Sequence, residues 1–576
     1  MRCARVFDMR SEFGTRITQS AVPLTLCLVA YLVSSPNVVA HEHTLEGYLI
    51  ENRRTSETEG ASHSEGVLEI EVFDELTRQP LYGLVKVTNL ASGRPVRLER
   101  FLERPMNWYA TPPHATYSVP RGRIRVEACH GIETEIFSIE LDFSQQAAQS
   151  ISLPLRRFYE PSAHELRAGN THLHLICDEH RKMGVQLESR AEADHYLQTV
   201  GQADGLDIVY VSYLTRPEKT YVSNDYKHEE LHQLSSEKIL FVNGEEYRHQ
   251  GGIDSENTKI SYGHVMFLDI PRLILPASIG PGLSENPATT DGIPLRTGIE
   301  QIRADGGTVV WCHGLMGTEA LPDWIDGLLH AQNIFDGGNE GTIDEVYYPL
   351  LNIGMKIPFS TGTDWGIWDF SRVYVPVAGD LASKSFLAAL KQGNSFITNG
   401  TFLEFEVEGR QSGETIVLEG QGKIKVHARA IGREDFLSLQ LVLNGNVIHE
   451  VSRKQVAEHY EAELEQMIQI YAPGWLAARI PTDRQYDIRS RLTGSSTNIL
   501  GKTLFAHTSP IYVSVAGHEV YQPEAARILI ARLQASIQEI RTKGVFRSAD
   551  DMRSVMKIYN QALEKLIAEI ESRVKE

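Results

Sequence analysis

The chain has 576 residues, 42% of them hydrophobic, and a formal net charge of −19 at pH 7. That length exceeds what a single hydrophobic core supports, so about two to four domains are expected. The acid excess argues against non-specific nucleic-acid binding, which relies on Lys and Arg neutralising phosphates, and no basic run or low-complexity tract offsets it.

Residues 1–40 read as an export signal. Arg10 and Arg16 precede the apolar run "AVPLTLCLVAYLV", and "SSPNVVA" follows with Val38 and Ala40 at the small-residue positions, so cleavage is expected after Ala40. The run contains Pro23 and is short for a membrane span, which needs about 20 apolar residues. The protein is therefore expected to be exported, periplasmic or extracellular, without a stable membrane span. The new terminus would read His41-Glu42-His43, where a free amine and a third-position histidine can wrap a square-planar copper ion, although a solvated tail is the ordinary reading. Cleavage leaves Cys129, Cys177 and Cys312, too sparse for a disulfide framework; they read as small buried apolar residues, with ligation by Cys177 or Cys312, which lie near histidines, as the lesser reading.

Beyond the signal the patterning changes three times. Residues 41–157 carry short alternating segments, "VLEIEVFD", "LVKVTNL", "TYSVPRGRIRVEACHG" and "SISLPL", and predict a β-sandwich. Residues 158–400 alternate strand-like segments ("ELRAGNTHLHL", "LDIVYVSYL", "KILFVNGEEY", "GHVMFLDI", "GTVVWCHG", "KIPFSTGTD") with helical ones such as "SRAEADHYLQTVGQAD" and "PLRTGIEQIRADGG", which predicts parallel pairing in an open sheet or a barrel. Residues 401–520 return to β patterning and predict a second sandwich. Residues 521–576 hold two runs at helical spacing, expected as a helical hairpin packed on the preceding β-domain.

The most conspicuous motif lies in the middle of the chain. His228-Glu229-Glu230-Leu231-His232 spells HExxH, the zinc-protease pattern, which needs both imidazoles on one buried helix face. Its surroundings, "SNDYKHEELHQLSSEK", are polar throughout, so it reads as a short connecting helix; one of its histidines reaching a nearby site is the remaining role. The less conspicuous "THLHL" is the better candidate, because His172 and His174 at i, i+2 leave one face of a strand and can grip one metal. Glu246, His313 and Asp364 each end a predicted strand, while His264 opens one and so needs a loop or a reversed strand. In a parallel α/β barrel, strand ends are where several strands supply one catalytic group each.

The ordered set HxH, G-x-E, G-H, H-G and "GTD" resembles the polymerase-and-histidinol-phosphatase (PHP) superfamily, and more closely the carbaryl-hydrolase-like metallohydrolases of the CehA/McbA type. The flanks "YPLLNIGMKIPFSTGTDWG" and "LAALKQGNSFITNGTFLEFEVEG" are similar too, so the likeness covers most of the chain after the signal. The resemblance implies a multidomain α/β plus β protein: a distorted (β/α)7 PHP-type barrel flanked by N-terminal and C-terminal β-sandwiches, with the helical hairpin at the end. It implies that His172, His174, Glu246 and Asp364 hold one divalent ion and that Glu246 bridges to a second, completed by His264 and His313. Zn, Mn or Fe would suit those donors. Two family histidines are missing, because their places fall on Leu214 and Gly366; Asp178 or Glu179 is the nearest acid to the third ion they would share.

The implied activity is that of a metal-dependent hydrolase, with Asp364 and Glu246 as the catalytic carboxylates and a phosphoester or an ester, amide or carbamate bond as substrate, carried on a small molecule or a glycan. Arg216, Lys219 and Arg248 are available to an anion but read as surface charges, and His249 as a solvated loop residue. Tyr213, Trp365 and Trp368 can line an apolar pocket or belong to a core. The alternative from a different class is a non-catalytic envelope binding or scaffold protein on a degenerate barrel.

Overall fold

A computed structural model describes residues 65–175, 187, 189–215, 222–223, 228–249, 262–275, 278–279, 290–313, 317–336, 347–481 and 496–575. The export segment, His41 and His43, Cys177, Asp178, Glu179, Arg216, Lys219 and the side chain of His228 lie outside the described residues.

The N-terminal strands follow from strict alternation. Glu65–Asp74 buries every second residue, Leu68, Ile70 and Val72 facing inward, as a half-buried strand requires. It pairs antiparallel with His114–Pro120 and parallel with Ala148–Leu155. A second sheet, built on Gly83–Asn89 and Arg123–Cys129, supplies Val85, Val87, Ile124 and Val126 to the same core.

The middle and C-terminal regions overturn the expected (β/α)7 barrel with separate flanking domains. Among the described residues strand outweighs helix, 41% against 24%. Among the described residues, eighteen strands belong to one hydrogen-bonded sheet that curls on itself. Leu166–His174, Ile208–Thr215 and Leu240–His249 run parallel in that order. The repeat then breaks, because Gly263–Leu268 pairs antiparallel with Leu240–His249 and with Thr308–Trp311. The intervening helices are uneven: Arg190–Ala203 has 14 residues, Ala320–Ile325 six and Tyr348–Leu351 four. Nor does the sheet stop near residue 400. Phe396–Thr398 pairs with Ala506–Thr508, and through it the site strands are continuous with Ser438–Leu443, Gly474–Arg479 and Ile511–Val515. The sequence pattern misleads here because pairing partners far apart in the chain leave no local mark.

Helix signals that carry their own chemistry hold. Ser189 caps Arg190–Ala203 by accepting from the Glu192 N–H at 3.2 Å. Gly306, at φ +86, stands just past Arg296–Ala304. The helical hairpin forms from Pro523–Lys543 and Ala549–Lys575, and its apolar stripe joins a core that holds Val442, Trp475 and Tyr512 of the preceding β-region and reaches past it. Leu529, Leu533, Val555 and Tyr559 share a core with Ile299, Ala320 and Trp324, and the Tyr559 hydroxyl lies 2.8 Å from Thr318 Oγ1. Trp324 and Ile299 offer apolar surface that the short helices cannot cover by themselves. None of the described helices is long and apolar enough to cross a membrane.

Candidate metal centre

The centre is built outward from Leu166–His174, whose last seven residues are all buried. Two-residue periodicity puts His172 and His174 on one face. The Nδ1 of His174 lies 2.9 Å from the Ser212 carbonyl oxygen, an atom that can only accept, so the proton sits on Nδ1. The Nδ1 of His172 lies 2.6 Å from Asp336 Oδ2, and a carboxylate again draws the proton to that nitrogen. With both rings neutral, each Nε2 is left as an acceptor, yet the two stand 2.9 Å apart. Two facing lone pairs repel unless a proton or a metal cation lies between them. Imidazole nitrogens bound to one divalent ion at about 2.0–2.1 Å fall about 3 Å from each other, so the donor set fits a metal. Asp364 Oδ1 completes the cluster, 3.4 Å from His172 Nε2 and 3.7 Å from His174 Nε2.

Glu246 connects this cluster to a second. Its Oε2 lies 2.9 Å from His174 Nε2, while its Oε1 lies 2.9 Å from His264 Nδ1 and 3.7 Å from His313 Nε2. One carboxylate thus turns an oxygen toward each histidine group. His264 reaches it because its strand is reversed, with His264 opposite Arg248 in register. The donor atoms of His172, His174 and Asp364 gather within 4.8 Å of one another, as do those of His172, Glu246, Cys312 and His313, and both buried groups can hold a metal ion.

The backbone is bent to bring these groups together. His313 and Asp364 both adopt left-handed φ, 49° and 60°, and so does Phe335, at 58°, just before Asp336. Non-glycine residues rarely hold that conformation, and where they do the surrounding structure enforces it. Gly362 serves a different need, close approach. The segment around it runs along the histidine strand, with the Thr363 N–H donating to the His172 carbonyl at 3.0 Å. A Cβ on Gly362 would lie 2.5 Å from that of His172.

Electrostatics agree with a site that seeks positive charge. Burial alone would lower the His172 pKa, but the Asp336 and Asp364 carboxylates outweigh it and hold the group at about 9. Burial likewise works against the Glu246 carboxylate, yet the charge of His264 and the close His174 and His264 rings carry it well below the usual range. The Cys312 thiol is pushed well above its usual range, by burial first and then by the nearby carboxylates.

All six sequence-predicted ligands, His172, His174, Glu246, His264, His313 and Asp364, therefore meet in one buried place, with local differences. Glu246 lies inside Leu240–His249 instead of ending it. Arg248, expected at the surface, is fully buried, with Nη1 3.9 Å from Glu246 Oε2. His249, expected in a solvated loop, is fully buried, stacked on Tyr262 at 4.2 Å and 3.2 Å from Asp291. The HExxH segment is a helix of seven residues, His228–Leu234, with Leu231 buried and Glu229 and His232 exposed, so His232 supplies no donor to the site. Of the two positions where a family histidine is missing, Leu214 is core and Gly366 donates its N–H to the His174 carbonyl at 2.9 Å; nearby Ser212 contributes its carbonyl. Trp365 lies 5.1 Å from the His174 ring. Asp336 was missed; an acid just past the short strand Ala331–Asn333, in "IFDGG", was the available signal.

No family model and no curated protein matches the chain. Among solved structures, a crystal structure of an engineered protein aligns with 57% of this chain and 72% of its own, at 10% identity and a TM-score of 0.13. A likeness that slight carries no argument about fold or function.

Proposed function

We propose that this protein is an exported hydrolase that binds two divalent ions, Zn, Mn or Fe, at the histidine–carboxylate centre and cleaves a phosphoester or an ester, amide or carbamate bond. The observation that carries the reading is the 2.9 Å approach of the His172 and His174 Nε2 atoms, each with its other nitrogen already engaged. The order of the donors in the chain supports it through the resemblance to PHP-type metallohydrolases. When bound, such ions supply Lewis acidity that makes water nucleophilic near neutral pH and steadies negative charge on the substrate.

The chain's own groups have distinct tasks in this reading. His172 and His174 would hold one ion with Asp364, and Asp336 fixes the His172 ring by accepting a hydrogen bond from its Nδ1–H. Glu246 is placed to bridge. Asp364, at the junction of both imidazoles, is the group positioned to accept a proton from water. Arg248 brings a permanent positive charge beside Glu246. The buried setting strengthens each of these interactions by excluding water.

The test is metal analysis of the purified protein together with a panel of phosphoester, carboxylester, amide and carbamate substrates. Bound metal with turnover is the expected result. His172→Ala should lose metal and turnover together, and retention of both would overturn the assignment. A folded protein without metal or turnover would favour the non-catalytic scaffold.

A further inference from the structure

The sequence reads Cys312 as a small buried apolar residue, and the structure keeps it in the apolar core while also setting it beside the candidate donors. It is a free thiol, fully buried, and Sγ belongs to the group in which the donor atoms of His172, Glu246 and His313 all lie within 4.8 Å of one another. Neighbouring residues in an extended strand send their side chains to opposite faces. Cys312 and His313 escape that rule because the strand Thr308–Trp311 has just ended and His313 turns left-handed, at φ 49°. The Cys312 N–H donates to the His264 carbonyl at 3.1 Å, which pins the pair beside the strand that carries the other imidazole. Two adjacent side chains can therefore address one point.

We propose that the Cys312 thiolate is a direct ligand of the second ion, so that this position has a sulfur, nitrogen and carboxylate donor set. The inference rests on the metal-centre reading above and deepens it. Coordination forms one sulfur–metal bond and breaks the S–H bond, releasing one proton to solvent, and no redox change is involved. A zinc–sulfur bond is about 2.3 Å and a zinc–nitrogen bond about 2.0 Å, so the Cys312, Glu246 and His313 donors, which lie within 4.8 Å of one another, must draw together around the ion. Side-chain rotation can supply that movement. A thiolate also changes which metal is held: soft sulfur favours zinc and cobalt over manganese and magnesium, which prefer all-oxygen surroundings.

Cobalt(II) loading tests this without recourse to activity. The wild-type protein should take up two equivalents and show a near-ultraviolet thiolate-to-cobalt charge-transfer band. Cys312→Ser should lose that band, keep the visible cobalt bands of the first ion, and bind the second at least tenfold more weakly, since even loss of an outer partner costs about 10–100-fold. X-ray absorption at the zinc edge on the wild-type protein gives the same answer without a variant, through a sulfur shell at about 2.3 Å. Two bound ions with only nitrogen and oxygen neighbours, or a charge-transfer band that persists in Cys312→Ser, would overturn the thiolate ligand and leave the hydrolase reading standing. A protein that binds no cobalt or zinc at all would overturn both.

Discussion

At the scale of single residues, the centre depends on groups that never touch the proposed ions. Asp336 is the clearest, because it sets which His172 nitrogen carries the proton and is itself held by Asn333 Nδ2 at 3.0 Å. Asp336→Ala should lower metal affinity by about 10–100-fold while leaving the fold intact, with Asp336→Asn falling between, as isothermal titration with zinc would read. His172 and His174 were legible from their i, i+2 spacing, and the six-donor set as a whole only through the resemblance of its ordered motifs to a metallohydrolase family. Asp336 and Cys312 were not, since an acid in a glycine turn and a lone buried cysteine look ordinary until distant segments are brought beside them. The left-handed backbone at His313 and Asp364 was likewise invisible, being imposed by tertiary structure against the residues' own preference.

At the scale of elements, the closest fit is between the histidine strand and the segment that ends in Asp364. Thr171 Oγ1 lies 2.9 Å from both Ser360 Oγ and the Thr361 carbonyl, and Asn170 Nδ2 donates to Thr363 Oγ1 at 2.7 Å. Gly362 sits in the middle of this contact. Gly362→Ala should destabilise the protein by about 1–3 kcal/mol, the usual range for overpacking, and should also weaken metal binding, because the atoms it strikes belong to His172 itself. Urea unfolding measured with metal removed separates the two effects. Element type was legible in this region wherever it was written locally, in the capped helix after Ser189 and in the alternating N-terminal strands. Strand partners were not: nothing within "GNSFITNG" says that it will pair with a strand near residue 507.

At the scale of the whole molecule, one buried turn ties several regions together. Glu133 accepts from Arg157 Nη1 at 2.9 Å and faces His130 Nε2 at 3.1 Å, while Arg157 also grips Asp74. Arg433, from the C-terminal region, donates to the Gly131 and Thr134 carbonyls of the same turn. Burial would raise the Glu133 pKa, but His130 and Arg157 overcome it and bring it to about 2, against an ordinary 4.5. An acid whose folded value is depressed contributes stability that is present above its unfolded value and is lost as pH falls toward the folded one. The contribution of Glu133 should thus be complete above about pH 4.5 and fade toward pH 2. Glu133→Gln should cost about 3 kcal/mol at pH 7, as breaking a buried ion pair does. The gap from wild type should narrow in denaturation curves taken at successively lower pH, and a gap independent of pH would contradict the role given to Glu133.

The continuous sheet has a consequence for how the protein is made. The edge of Phe396–Thr398 that receives Ala506–Thr508 stays open on the ribosome until the chain has been extended well past its last site strand. An unpaired strand edge is a template for association with other chains, and non-local pairings are slow to form. A nascent chain can therefore hold every proposed ligand and still present a sticky border, so assembly of the metal centre is tied to completion of the C-terminal strands. Export in an unfolded state would postpone the hazard until the whole sheet can close at once.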